Sequence, residues 1–206
     1  SGSASALIAD NMGSAQPTAA SVAWSCPNTW SSTGRGEENN NLTGNDKILF
    51  TGYLDTGGST TTTVEINGIP TDLTAKGYDV VVYLTGGVPG RGGGYAVTDA
   101  SDNLLTPWID AQGPNKATTY VKVVPAPGQW AVGNYLVFSN LKASSIKVLG
   151  STQNGHAYGG TPRAAINAIQ LVPTGGGIQP PGAMTISLNG ANVTVDWAGG
   201  GTLQSA

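Results

Sequence analysis

Nine short runs of β-branched and aromatic residues, cut apart by Gly, Pro, Asn or Asp, confine this chain to extended structure. They fall at 20–25 (ASVAWS), 46–54 (DKILFTGYL), 60–66 (TTTTVEI), 78–84 (YDVVVYL) and 93–98 (GGYAVT). Four more follow at 117–124 (ATTYVKVV), 134–139 (NYLVFS), 144–149 (SSIKVL) and 164–172 (AAINAIQLV). In the run at 117–124, Tyr120 alternates with Thr119 and Val121, and Pro125 ends the segment. The material of helix surfaces is scarce: charged residues make up 10% of the 206, with three glutamates, six lysines and three arginines. Glycine supplies 31 positions. A helical bundle, a coiled coil and a βαβ enzyme fold are excluded on these grounds.

The expected fold is all-β: a two-sheet antiparallel β-sandwich of jelly-roll type, with a C-terminal β-hairpin extension. One short helix is expected at 5–12 (SALIADNM). Residues 1–172 would form the sandwich and 173–183 (PTGGGIQPPGA) a Gly/Pro linker, flexible at one end and stiff at the other. Residues 184–206 contain MTISL, Asn189-Gly190 and NVTVDW, a hairpin signal whose Asn-Gly pair supplies the positive φ angles of a tight turn. Two strands bury too little apolar surface to stand alone. The tail is therefore expected to be an incomplete second β module or a strand donor.

Net charge is −3, and nine basic residues are scattered along the chain, which excludes the dense positive stripe of a nucleic-acid binder. No apolar run reaches the ~20 residues of a membrane span. Cys26 is the lone cysteine, so neither an internal disulfide nor a thiolate zinc site can form. The low-charge, Ser/Thr/Asn/Gly-rich composition suits an extracellular or cell-surface setting. The opening SGSASALIAD has no initiator Met and no basic leader, as in a mature or excised segment.

The stretches LFTGYLDTGGSTTTTVEINGIP, GYDVVVYLTGG, PGRGGGY, GNYLVFSNL and RAAINAIQLVP resemble a galactose-binding-like jelly-roll module. That module is repeated in large secreted bacterial multidomain proteins. The tail TISLNGANVTVDWAGGGTLQSA resembles the small β module that follows it there. The resemblance covers roughly 42–206; it implies a bacterial surface protein with glycan-degrading or adhesive neighbours. It also implies an opening strand before SGSAS and a longer tail module.

No catalytic constellation stands out. His156 is the lone histidine, and no GxSxG elbow accompanies it. Glu37 and Glu38 are adjacent in a loop and Glu65 lies in a strand run, whereas a glycosidase needs two carboxylates ~5–10 Å apart across a cleft. The chain is expected not to be an enzyme and to need no cofactor. Asp99, Asp102 and Asn103 offer oxygen ligands for a structural calcium, but the same DASDN suits an Asx turn. PGRGGGY lacks the Gly-Lys-Ser/Thr ending of a phosphate loop; its glycines allow close backbone approach. The sequons at Asn41 and Asn192, and the threonines at 60–63, are formal glycosylation acceptors.

Aromatic residues carry the remaining signal. Trp24, Tyr53, Tyr78, Tyr83, Tyr120, Tyr135 and Trp197 lie in strand runs and suit the core or a sheet face. Trp30, Tyr95, Trp108, Trp130 and Tyr158 fall in or beside loops, where they either pin loops to the body or stack on sugar C–H faces. With Arg91 and His156 they form the candidate ligand-binding set. Two functions follow: a non-catalytic extracellular module that binds polysaccharide or a surface glycan, or a structural subunit whose termini add strands to other copies of itself.

Overall fold

The computed structural model describes residues 1–5, 8–9, 16–113, 119–153, 155–156, 160–174, 185–189 and 192–196. Its strands, in order, are β1 (Gly2–Ala4), β2 (Ile8–Ala9), β3 (Gln16–Pro17), β4 (Ser21–Ser25), β5 (Asn28–Ser31), β6 (Gly52–Asp55), β7 (Thr61–Asn67) and β8 (Tyr78–Tyr83). Then come β9 (Arg91–Asp99), β10 (Ile109–Gln112), β11 (Trp130–Val132), β12 (Tyr135–Leu141), β13 (Ser145–Ser151), β14 (Thr161–Pro162), β15 (Ala168–Pro173), β16 (Thr185–Asn189) and β17 (Asn192–Asp196). Helices α1 (Gly44–Thr51) and α2 (Thr71–Lys76) interrupt them. The described chain is mostly β with several antiparallel sheets, as its composition requires. No described helix is long and apolar enough to cross a membrane.

The larger sheet runs β1-β4-β7-β13-β9-β10-β11, and a second sheet runs β12-β8-β15. Pairing is antiparallel except for β10 with β11 and β14 with β9. Period-two patterning sends one face of each sheet into a shared core. Val64 and Ile66 of β7, Val97 of β9 and Ile146 and Val148 of β13 meet Val80, Val82, Leu136 and Phe138 of the smaller sheet. Each such side chain contributes about 1.5–3 kcal/mol when fully withdrawn from water.

Three sequence expectations are corrected. Residues 46–54 do not form one strand: α1 occupies Gly44–Thr51 and β6 begins at Gly52. In the helix Phe50 is fully buried while Ile48 is 80% exposed, a separation that a strand, with both on one face, would forbid. Two side-chain amides favour the helical ending, because buried Asn39 and half-buried Asn167 both donate Nδ2–H to the Phe50 carbonyl, at 2.8 and 3.1 Å. Residues 119–124 lie outside the named strands, apart from a Lys122–Tyr135 bridge. There the buried Asn134 amide takes the ladder's place, accepting from Val121 N–H and donating to the Thr119 carbonyl. The helix expected at 5–12 is replaced at Ile8–Ala9 by a strand pairing with β3; residues 6, 7 and 10–12 lie outside the described residues. Conversely β5, β10, β11 and α2 form where no element was expected.

Buried phenols register the density of this core. Tyr95 donates its hydroxyl to the Ala165 carbonyl at 2.9 Å and Tyr78 to the Ala143 carbonyl at 2.7 Å. Burial pushes the Tyr78 phenol up to about 12 and that of Tyr95 higher still. A tyrosine in the unfolded chain ionises near ~10, so these phenols stabilise the fold fully below that pH. The contribution falls as pH rises through the folded-state values. A titration followed at 295 nm should show Tyr78 and Tyr95 silent at pH ~10 and ionising only as circular dichroism reports unfolding; free titration of all the tyrosines near ~10 would contradict this packing.

Candidate functional site

The glycine run of β9 creates the space in which a site can form. At Gly93 a Cβ would crowd the Ser151 carbonyl and Ala164, and at Gly92 the Ala111 carbonyl. At Gly94 it would overlap the His156 ring. The backbone of β9 is thus contacted closely from both faces, and only glycine permits it. β13 pairs β9 as far as Gly94, and β14 then takes over at Arg91 and Gly92. The connection between β13 and β14 lays His156 over Gly94.

Register places the neighbours of that imidazole. Ser151 of β13, Gly94 of β9, Asp110 of β10 and Trp130 of β11 are successive cross-strand partners. They share the outer face, because Ala111 and Ala131, the alternate residues, pack on the core. His156 Nδ1 lies 3.0 Å from Asp110 Oδ1, with the two side chains 11% and 18% exposed, an ion pair when the ring is protonated. Trp108, two residues before Asp110, sets its ring 4.2 Å from the His156 ring at an angle of 41°. Trp130 is 38% exposed at the sheet edge beside Asp110. Two residues along β10, Gln112 Oε1 is shielded from solvent and has no hydrogen-bond donor among the described residues. The group offers two indoles, an acid–imidazole pair and a spare amide acceptor.

The expected set is therefore divided. Trp108, Trp130 and His156 come together, with Asp110 and Gln112 as members that the sequence reading missed. Their signal was present as the alternation Trp108, Asp110, Gln112, but no strand was expected there. Tyr95 is corrected: it lies in β9 at 1% exposure, on the inner face, so its ring belongs to the core and no ligand reaches it. Tyr158 lies outside the described residues.

Arg91 and Trp30 belong to a different cluster. Arg91 alternates with Gly93 and Tyr95, so it leaves β9 on the core side. Its Nη1 donates to the Tyr53 hydroxyl at 2.6 Å and to the Gly86 carbonyl. Trp30 of β5 pairs with Tyr53 of β6, donates Nε1–H to Glu37 Oε1 at 2.9 Å, and carries the Arg35 guanidinium 4.0 Å from its ring centre. Ser32 fills the other Glu37 oxygen at 3.0 Å. The polar handles of this group are spent on the protein itself, which makes it a clamp holding the turn at 32–40 against the Gly86–Gly87 backbone. At DASDN, Asp99 accepts from the Ser101 and Asn103 amides and the Asn103 side chain, while Asp102 pairs with Lys147 at 2.7 Å. Asn103 holds the Asp99 carboxyl below its ordinary range. The turn is an Asx turn with both carboxylates engaged. Among the described residues no group of three or more His, Cys, Asp or Glu is placed to hold a metal.

Among the described residues, no nucleophile is hydrogen-bonded to the Asp110–His156 pair. Ser151, two strands from Asp110 in the same row, shares its hydroxyl with Thr61 at 2.9 Å and accepts from the Gln153 amide at 3.1 Å. It makes no hydrogen bond to His156. No family model, curated protein or solved structure matches this chain.

The Gly94–His156 contact gives a direct check. Gly94→Ala should cost roughly 1–3 kcal/mol through overpacking and displace His156 from Trp108. Chemical denaturation would measure the first, and the indole environment by near-ultraviolet circular dichroism the second. Wild-type stability with an unchanged near-ultraviolet spectrum would remove His156 from this position.

Proposed function

We propose that this chain is a non-catalytic, extracellular module that binds a glycan through the outer-face group Trp108, Asp110, Gln112, Trp130 and His156. We place it on a β-sandwich of jelly-roll type, of the galactose-binding-like kind found in large secreted bacterial proteins. The observation that carries the reading is the half-exposed Trp130 ring in register beside Asp110, with Trp108 and His156 behind it. A sugar presents an apolar C–H face that an indole can cover and hydroxyls that donate to carboxylate and amide oxygens. Asp110, whose side chain is 18% exposed, supplies such an acceptor on the same face, and the glycine strand beneath keeps the floor of the site flat. The low charge of the whole chain suits a surface domain that meets neutral polymers. The alternative, a structural subunit, is favoured by a separate feature, the edge of β15 that no other described strand pairs.

Affinity electrophoresis through gels carrying plant, algal or host polysaccharides tests the reading. The wild-type chain should be retarded by at least one of them, and Trp130→Ala should weaken that binding on the order of tenfold, about 1.4 kcal/mol. Asp110→Asn should weaken it too, whereas Trp30→Ala should leave affinity unchanged. Retardation by no polysaccharide, or equal loss in the Trp30 variant, would refute glycan binding at this face.

A further inference from the structure

Away from the glycan face, three phenols gather on the outside of the smaller sheet. Tyr83 of β8 and Tyr135 of β12 are direct cross-strand partners. Both point away from the shared core, because Val82 and Leu136, their neighbours in sequence, pack into it. Tyr120 joins them from the segment that runs along β12 outside the named strands, tied there by the Val121 carbonyl and the Val123 amide. Its ring centre lies 6.1 Å from that of Tyr83 and 6.4 Å from that of Tyr135, while Tyr83 and Tyr135 are 6.3 Å apart. Phe50 of α1 closes the group at 6.1 Å from both Tyr83 and Tyr120. Among the described residues, every contact between two tyrosine rings falls here.

Aromatic packing accounts for the rings. The hydroxyls are treated unequally. Tyr53, Tyr78 and Tyr95 donate theirs to backbone carbonyls, and Tyr83 donates to the neutral Gln170 amide at 3.0 Å. Tyr120, 52% exposed, donates instead to the Asp46 carboxylate of α1 at 2.6 Å, the short range of a bond to a charged acceptor. Desolvation and that carboxylate hold the Tyr120 phenol above its ordinary value, so it keeps its proton at neutral pH. A phenol that loses an electron becomes a strong acid, and its oxidation is easy only where the proton has somewhere to go. Asp46 is a base already in place. The radical so formed carries its unpaired spin partly on the ring carbons ortho to the hydroxyl, with two more phenols in contact.

We propose that Tyr120 is an oxidative cross-linking site, coupling to Tyr83 or Tyr135 as an intramolecular dityrosine when a peroxide acts through a one-electron oxidant of the peroxidase class. Each phenol gives up one electron and its hydroxyl proton, that of Tyr120 passing to Asp46 and on to solvent. The two radicals join through ortho carbons, and the ortho hydrogens then move to the oxygens and restore both phenols. One hydrogen peroxide takes up the two electrons and two protons and leaves as two waters. Holding the rings together turns a chance collision into a step within one molecule. Tyr83 and Tyr135 are fixed in paired strands, whereas Tyr120, outside them, has the freedom to close the remaining distance. The bond would tie the segment at 119–124 to the smaller sheet, a constraint that a single cysteine cannot supply. The inference does not depend on glycan binding, whose residues lie on the other sheet.

The test treats the full 206-residue chain, kept dilute, with hydrogen peroxide and a haem peroxidase. The monomer should lose two hydrogens by intact mass and gain dityrosine fluorescence, and a peptide map should join the Tyr120 fragment to that of Tyr83 or Tyr135. Tyr120→Phe keeps the ring and drops the hydroxyl; it should abolish the internal link and leave the circular dichroism spectrum unchanged. Asp46→Asn should slow the coupling by roughly tenfold or more, because a positioned base is lost, and it serves alone if the Tyr120 variant fails to fold. A monomer of unchanged mass would overturn the proposal, as would a link that persists in Tyr120→Phe. Coupling only between separate chains, or a wild-type rate in Asp46→Asn, would overturn it equally.

Discussion

Close approach to the backbone of β9 is the constraint on which the described structure rests. Gly92, Gly93 and Gly94 admit the Ala111 carbonyl, Ala164 and the His156 ring where any Cβ would collide. That access lets β10 and β14 pair with β9 at one end while the segment after β14 packs into the core. The flexible residue thus serves packing here, as a strand kept bare so that other parts can touch it. Without the run, the connection bearing His156 would have no seat and Asp110 no imidazole beside it.

A single sheet separates two chemistries. Outward residues of β10 and β11, with Trp108 just ahead of β10 and His156 of the β13–β14 connection seated over Gly94, assemble two indoles, an acid and an imidazole. Residues that point inward spend their polar groups on the fold: Tyr95 on the Ala165 carbonyl, Arg91 on Tyr53 and the Gly86 carbonyl. One residue of register decides between these fates, because successive side chains leave a strand on opposite faces. Arg91 and His156, which the sequence suggested as partners, are parted for this reason. The same logic explains Trp30, whose indole N–H is taken by Glu37 and whose face is taken by Arg35.

A seven-strand path facing three strands leaves apolar residues of β4 half-covered, and the uncovered side coincides with a strand edge free of charge.

Much of the scaffold was legible beforehand, and the limits of that legibility are physical. The alternation in TTTTVEI and SSIKVL marked β7 and β13 because half-buried strands carry a period of two, and the continuous apolar run in YDVVVYL marked β8, buried at three successive valines. The hairpin expected at the C-terminal tail is present as β16 paired with β17, with Asn189 opposite Asn192; the two residues between them lie outside the described residues. The run at 46–54 misled, since the carbonyl that ends α1 is satisfied by Asn39 and Asn167, far apart in sequence. The segment at 119–124 misled likewise, its ladder supplied by the Asn134 side chain.

Composition and patterning determined by themselves that the chain is extended, sparsely charged and rich in turns, because those properties are local and additive along the sequence. Which aromatic residues face solvent, which acid meets His156 and which edge stays open were decided only by the tertiary structure. Those outcomes depend on the register between strands far apart in the chain, and register is a property of pairs that no single segment contains.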